Sequence, residues 1–210
     1  MHFYTFPTAP SPRRVHQFLD YKGIELPTTG VDMRNGEHLS DSYRAINPLA
    51  TVPALMTDEG VMLTEIVGIC TYLEALYPER PLLGSTPLER GLVQNWINRI
   101  TWGVTTAFAE VLRNRSPAFA NRALPGPIDV AQIPELETRG RLRYRAGLEL
   151  FDQELGERPF LCGDNVTLAD SDLLVAVEIR NWIKEPLPEA CVNLPGWIER
   201  TRAALGIAAD

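Results

Sequence analysis

Short apolar bursts fill the first third of the chain and helical spacing fills the rest, so the pattern divides the sequence before any residue chemistry is considered. Met1 to Phe6 is an aromatic, apolar run that Pro7 and Pro10 end. Val15, Phe18 and Leu19 then follow at helical spacing, which predicts a strand entering a helix. Gly23 is placed to cap that helix. Ile24 to Val31 reads as a second strand, and Pro27 marks it as an edge because proline has no N–H for a ladder. Past a polar stretch at Gly36 to Ser42, the runs Val52 to Met56 and Val61 to Leu63 flank Asp58-Glu59-Gly60 as a hairpin. A helix from about Glu65 to Leu76 carries Ile69, Tyr72, Leu73 and Leu76 on one stripe.

Tyr77 to Pro81 is a breaker, and beyond Pro87 the pattern is helical throughout: Leu88 to Arg115, Pro134 to Leu155, Leu168 to Lys184 and Leu194 to Leu205. Ser116 to Ile133, rich in Pro, Ala and Gly, is predicted as a mobile loop. The expected architecture is α+β. A domain of order βαβ, loop, ββα covers 1–79, a linker covers 80–87, and an all-helical domain covers 88–210.

Composition narrows the function classes. With 210 residues and 45% hydrophobic content the chain can bury a substantial core. A net charge of -7, with no Lys/Arg run interleaved with aromatics, argues against a nucleic-acid partner. The first residues lack a charged segment followed by an apolar stretch. No run approaches the roughly 18 apolar residues that span a bilayer, so a cytoplasmic protein with no membrane partner is expected. Cys70, Cys162 and Cys191 are odd in number, far apart and without CxxC spacing. This suggests neither a disulfide framework nor a metal site, and Cys70 reads as a small core hydrophobe inside a helical pattern.

Four local sequences, in order, make the pattern specific: Gly36-Glu37-His38-Leu39-Ser40; Asn47-Pro48-Leu49-Ala50-Thr51-Val52-Pro53-Ala54-Leu55; Leu63-Thr64-Glu65 with Tyr72-Leu73-Glu74; and Thr167-Leu168-Ala169-Asp170. Together they resemble the cytosolic glutathione transferases over essentially the whole chain. The resemblance implies an N-terminal thioredoxin-like, glutathione-binding domain followed by an all-α domain, a homodimer, and glutathione as co-substrate with no metal. It implies that the bond between Val52 and Pro53 is cis and that the backbone of Val52 pairs with the cysteinyl backbone of glutathione like an added strand. It places Glu65 and Ile66 at a helix N-terminus. There free N–H groups and the positive dipole end hold the γ-glutamyl carboxylate, and Glu65 pairs with the ligand's ammonium. Most relatives have Ser where this chain has Ile66, which keeps the backbone donor and loses a hydroxyl. His38 lies in a loop that resembles the theta-like branch, where the matching histidine reaches the glycyl carboxylate. His16 and His2 have no such context. Thr167 and Asp170 read independently as a capping box, a folding device and not a chemical one.

The catalytic position departs from the pattern. Such an enzyme must hold glutathione as thiolate, usually with a Tyr, Ser or Cys after the first strand and the N-terminus of the first helix. When Arg14-Val15 is aligned, the serine of zeta-like relatives falls on Ala9. Ser11 and then Thr8 are the remaining hydroxyl candidates, and the alternative reading of Ser11 is a plain N-cap before Pro12. A third possibility is an atypical fungal and bacterial branch. The segments Thr86 to Gly91, Phe151 to Leu155, Glu157 to Phe160 and Pro188 to Cys191 resemble it. There Gly or Ala replaces the hydroxyl, and the helix dipole with a bound water stabilises the thiolate.

A small hydrophobic electrophile is the expected second substrate, with Trp102, Phe108, Leu112 and the loop around Phe119 as candidates for its pocket between the domains. The alternative function is a non-catalytic glutathione or ligand-binding protein, which Ala9 and Ile66 favour. An interaction module within a larger assembly is a third. No cysteine lies between Phe6 and Val15, which argues against a mixed-disulfide mechanism.

Overall fold

The computed structural model describes residues 1–208. The chain forms two compact units, one of Met1–Arg80 with Pro125–Ile128 and the other of Pro81–Leu124 with the residues from Asp129 onward. The fold is a thioredoxin-like N-terminal domain and a helical C-terminal domain.

In the first unit β1 (His2–Thr5), β2 (Thr28–Gly30), β3 (Ala54–Met56) and β4 (Met62–Leu63) form a sheet of order β2-β1-β3-β4. β1 and β2 are parallel, and the other two pairings are antiparallel. The second strand is shorter than the Ile24 to Val31 predicted. It begins after Pro27, whose carbonyl accepts from the Phe3 N–H at 2.8 Å, and all of it is exposed, as an edge. The crossover between β1 and β2 is α1 (Pro10–Lys22), which buries Val15, Phe18 and Leu19 as its spacing predicted and ends at Gly23 with φ 67°. Gly23 N–H donates to the Asp20 carbonyl at 3.1 Å and Ile24 N–H to that of Leu19 at 2.9 Å, a closure that needs the left-handed conformation. After β2 comes the short α2 (Asp41–Ile46), and α3 (Ile66–Leu76) buries Ile69, Cys70 and Leu73. With Phe3, Phe18 and Leu55 these side chains are fully buried. Each large one contributes about 1.5–3 kcal/mol of transfer free energy. Cys70 is therefore core.

The second unit is built from α4 (Pro87–Ile100), α5 (Thr106–Arg115), α6 (Glu135–Leu155), α7 (Leu168–Glu178) and α8 (Leu194–Leu205). Two predicted helices are interrupted. Leu88 to Arg115 contains a π-helical stretch at Thr101–Thr105, where Gly103 meets Gly147 of α6 and the Arg143 guanidinium donates to the Trp102 carbonyl at 2.6 Å. Leu168 to Lys184 tightens into a 3-10 turn at Ile179–Ile183 and stops at Lys184, φ 54°. There the buried Glu185 carboxylate accepts from Arg141 at 2.7 Å and from Arg145.

The predicted mobile loop at 116–133 carries its own structure: a 3-10 turn at Pro117–Phe119 and a bridge between Arg122 and Val130. Arg113 lies over Phe119 and donates to the carbonyls of Arg122 and Ala123, while the Gln132 amide donates to those of Arg113 and Ser116. Side-chain donors thus bind carbonyls that the sequence pattern left unassigned.

The region predicted as a linker buries Leu82 and Leu83, and the Leu82 carbonyl accepts from the Leu168 N–H at 2.8 Å. Asp170 is a buried hub. Its carboxylate accepts from the N–H of Thr167 at 3.0 Å, the Thr167 hydroxyl at 2.9 Å, the Leu161 N–H at 2.8 Å and the Trp197 indole N–H at 3.2 Å. Burial pushes its carboxyl pKa up against these bonds.

Candidate functional site

Strand register collects four backbone segments at one end of the first unit's sheet. Tyr4 lies opposite Ala54 and Thr5 opposite Gly30, so the end of β1 sits beside the start of β3 and the end of β2. Leu55 lies opposite Leu63, so the chain leaving β4 runs past Ala54 toward Pro53. The end of β1 feeds α1, β2 feeds the His38 segment, Val52-Pro53 opens β3, and β4 feeds α3 at Glu65. Register and chain order thus bring Val52-Pro53, Glu65 and the start of α1 to this end, while His38 follows farther along the chain that leaves β2.

A small cluster shapes it. Val31, Tyr43 and Val52 are buried and pack with Tyr4, Phe6, Met33 and Ile46. The Tyr43 hydroxyl donates to the Thr51 carbonyl at 2.8 Å, and burial pushes its pKa up to about 12. The Asn47 amide donates to the same carbonyl at 2.8 Å, and its side-chain oxygen accepts from the Leu49 N–H at 3.0 Å. These bonds fix the approach to Val52-Pro53, which is cis with both residues buried. Tyr43 was not singled out from sequence; its buried place between two polar stretches is visible only in the fold.

At α3 the cap is Glu65, extended at φ -104° and ψ 139°, exposed, with no side-chain cap bond. The N–H groups of Ile66, Val67 and Gly68 are first-turn donors without helical partners, at the positive end of the dipole. His38 is the middle residue of a 3-10 turn, Glu37–Leu39, entered through Gly36 at φ 77°, and is half-buried.

At α1 the helix begins two residues earlier than an N-cap at Ser11 requires. Ala9 is the cap, extended at φ -77° and ψ 144°, with no side-chain bond, and Arg13 N–H donates to its carbonyl at 3.1 Å. Ser11 is therefore the second helical residue, half-buried, and its hydroxyl accepts from the Arg14 guanidinium at 3.4 Å. Thr8 is exposed in the turn before the helix. His16 faces the end of β1, 2.8 Å from the Thr5 hydroxyl, and burial holds its pKa below the ordinary value against the opposing Asp20 charge.

The electrophile candidates lie in the second unit. Phe108 and Leu112 share one stripe of α5, but Phe108 is buried against Tyr144 and Trp182, each 6.4 Å between centroids. Trp102, in the π stretch, is 68% exposed and is not gathered with them. Among the described residues no group of His, Cys, Asp and Glu could hold a metal ion, and no helix is long and apolar enough to cross a membrane.

Two helix N-termini and the backbone leading into β3 at one end of a sheet suit an extended, peptide-like anion. The sequence profile of the glutathione S-transferase N-terminal domain matches residues 3–81. The chain is 31% identical over 207 residues to glutathione S-transferase theta-2B of Homo sapiens, covering 92% of this chain and 77% of that protein. It is 40% identical over 171 residues to maleylacetoacetate isomerase of Pseudomonas aeruginosa, covering 65% and 80%. The crystal structure of Gtt2 from Saccharomyces cerevisiae superposes with a TM-score of 0.87 at 28% identity, covering 99% of this chain and 98% of that one.

Proposed function

The chain belongs to the glutathione S-transferase family, and from that premise we propose that it binds glutathione at the β1–β3 end of its sheet and adds the thiolate to small hydrophobic electrophiles. The observation that carries the reading is the convergence of the α1 and α3 N-termini and the Val52 backbone ahead of β3 at that end. In this assignment the backbone of Val52, ahead of Pro53, pairs with the cysteinyl residue. The first-turn N–H groups of Ile66 and Val67 hold the γ-glutamyl carboxylate, Glu65 pairs with the ammonium, and His38 meets the glycyl carboxylate.

The sulfur then lies at α1. Pro10 and Pro12 have no N–H, so Ser11 is the one residue of the first three helical positions that offers a backbone donor, and it adds a hydroxyl. The thiol held there gives its proton to solvent and is kept as thiolate. The sulfur lone pair forms a C–S bond, and the electron pair leaves with the displaced group or, in an addition, is protonated by water. Phe108 and Leu112, with Trp102 as the exposed alternative, are the assigned apolar contacts of the electrophile, and a homodimer is the expected assembly. One observation favours a second reading, in which dipole and water suffice without the hydroxyl: the residue at the cap is Ala9, small and without a cap bond.

Calorimetric titration with glutathione, together with the ultraviolet absorbance of bound thiolate, tests both readings in wild type, Ser11→Ala and Thr8→Val. Loss of thiolate in Ser11→Ala alone supports the hydroxyl, and retention in both variants supports the dipole. Binding with an ordinary thiol pKa would mean a ligand-binding protein, and absence of binding would remove glutathione from the function.

A further inference from the structure

Ser11 is an unusual serine for a helix start. A serine in this region ordinarily spends its hydroxyl as an N-cap or bonds back to a carbonyl of the preceding turn. Here the cap is Ala9, and the residues three and four before Ser11 are Thr8 and Pro7, which lie outside the helix. The side chain that does reach the hydroxyl is Arg14, one turn on and on the same face, at 3.4 Å. Arg14 is 7% exposed, which is exceptional for an arginine. A guanidinium has donors and no acceptor. It can therefore only occupy a lone pair of the Ser11 oxygen, and it turns the hydroxyl hydrogen away from itself.

We propose that Arg14 is a positioning residue for the thiolate donor: it holds the Ser11 oxygen so that the hydroxyl hydrogen is presented outward, to the sulfur of bound glutathione. This rests on the reading that Ser11 donates to that sulfur. Arg14 touches neither substrate. It acts through the serine, by fixing the rotor and by polarising the O–H bond with a buried positive charge. Lysine cannot reproduce this, because an ammonium on a flexible stem lacks the planar fork that fixes direction.

The test is a double-mutant cycle with Ser11→Ala and Arg14→Gln, reading the pH dependence of bound thiolate absorbance and of kcat/KM. In the wild-type background Arg14→Gln should move the thiolate transition upward. It should cut kcat/KM below that transition about tenfold, the effect of one unit in the thiol pKa, and KM for glutathione should change little. In the Ser11→Ala background the same substitution should change neither quantity. An equal effect in both backgrounds would overturn the proposal, since Arg14 would then act without the serine. If instead Ser11→Ala alone leaves the thiolate untouched, the hydroxyl reading itself fails, and that outcome is separate from the first.

Should Arg14→Gln not fold, the wild-type protein still decides. The guanidinium nitrogen resonances of Arg14, assigned by their loss in Arg14→Lys, should titrate with the bound thiol in wild type and not in Ser11→Ala. Resonances indifferent to that transition in wild type would sink the proposal.

Discussion

The seam between α6 and the π-helical stretch at Thr101–Thr105 makes a prediction in which two opposing effects can be weighed. A methyl group at position 147 would lie 2.6 Å from the Gly103 carbonyl oxygen, 3.1 Å from Val104 Cγ2 and 3.2 Å from the Gly103 carbonyl carbon. Ordinary contacts are near 3.5 Å, so α6 must retreat by about 0.9 Å from backbone that has no rotamer to change. Overpacking costs about 1–3 kcal/mol, and the immobility of the neighbour places Gly147→Ala at the upper end. Alanine returns about 1 kcal/mol through helix propensity. The net is a destabilisation of about 2 kcal/mol, or roughly 4–8 °C in Tm for a chain of this size.

The assay is selective, because all four tryptophans, Trp96, Trp102, Trp182 and Trp197, lie in the helical unit, so their fluorescence follows its unfolding. Gly196→Ala is the control. Its methyl would meet only the tip of the Arg200 side chain, at 3.4 Å, and should stabilise by about 0.5–1 kcal/mol. If Gly147→Ala matched the control in sign, the claim that this glycine is required by backbone contact would be wrong.

Other consequences are as direct. Asp170→Asn replaces a charged acceptor of four hydrogen bonds by a group with one acceptor oxygen and two competing donors, and should cost about 3–4 kcal/mol by denaturant unfolding followed at Trp197. His16 is held below the ordinary 6.5, so the unfolded chain takes up its proton first. Its contribution is complete above about pH 6.5 and is lost as pH falls toward the lower folded pKa, a slope that should vanish in His16→Asn. Glu185 is opposed by burial but held below 4.5 by Arg145 and Arg141, so its stabilisation is present above pH 4.5 and disappears as pH falls through the lower folded value. Glu185→Gln should flatten acid unfolding of the helical unit. Replacing Cys70, Cys162 and Cys191 together by alanine should leave glutathione-dependent activity per folded molecule intact, and its loss in a folded variant would bring a protein thiol into the mechanism.

Periodicity alone placed α1, α3, α6 and α8, because a helix that buries one face must repeat its apolar residues near every 3.6 positions, and that constraint is local. The site segments were legible for a related reason: turns and helix starts use prolines, glycines and Asn-Pro pairs that mark themselves, as at Asn47-Pro48 and Val52-Pro53. What tertiary structure decided depends on partners far along the chain. The break in Leu88 to Arg115 arises where Gly103 meets Gly147, and nothing within the helix's own sequence announces that contact. Loop 116–133 is ordered by Arg113, Asn114 and Gln132, whose polar character reads as solvent exposure until carbonyls are found beside them. Ser11 is ambiguous in the sequence because capping turns on backbone angles at Ala9, and the guanidinium that reaches its hydroxyl is seen only in the fold. The sequence by itself determined which segments could be helix, strand or turn, since that choice is made over a few neighbouring residues. The tertiary structure decided where those elements bend and which polar groups meet a partner, since each of these is a contact between atoms that the chain brings together only by folding.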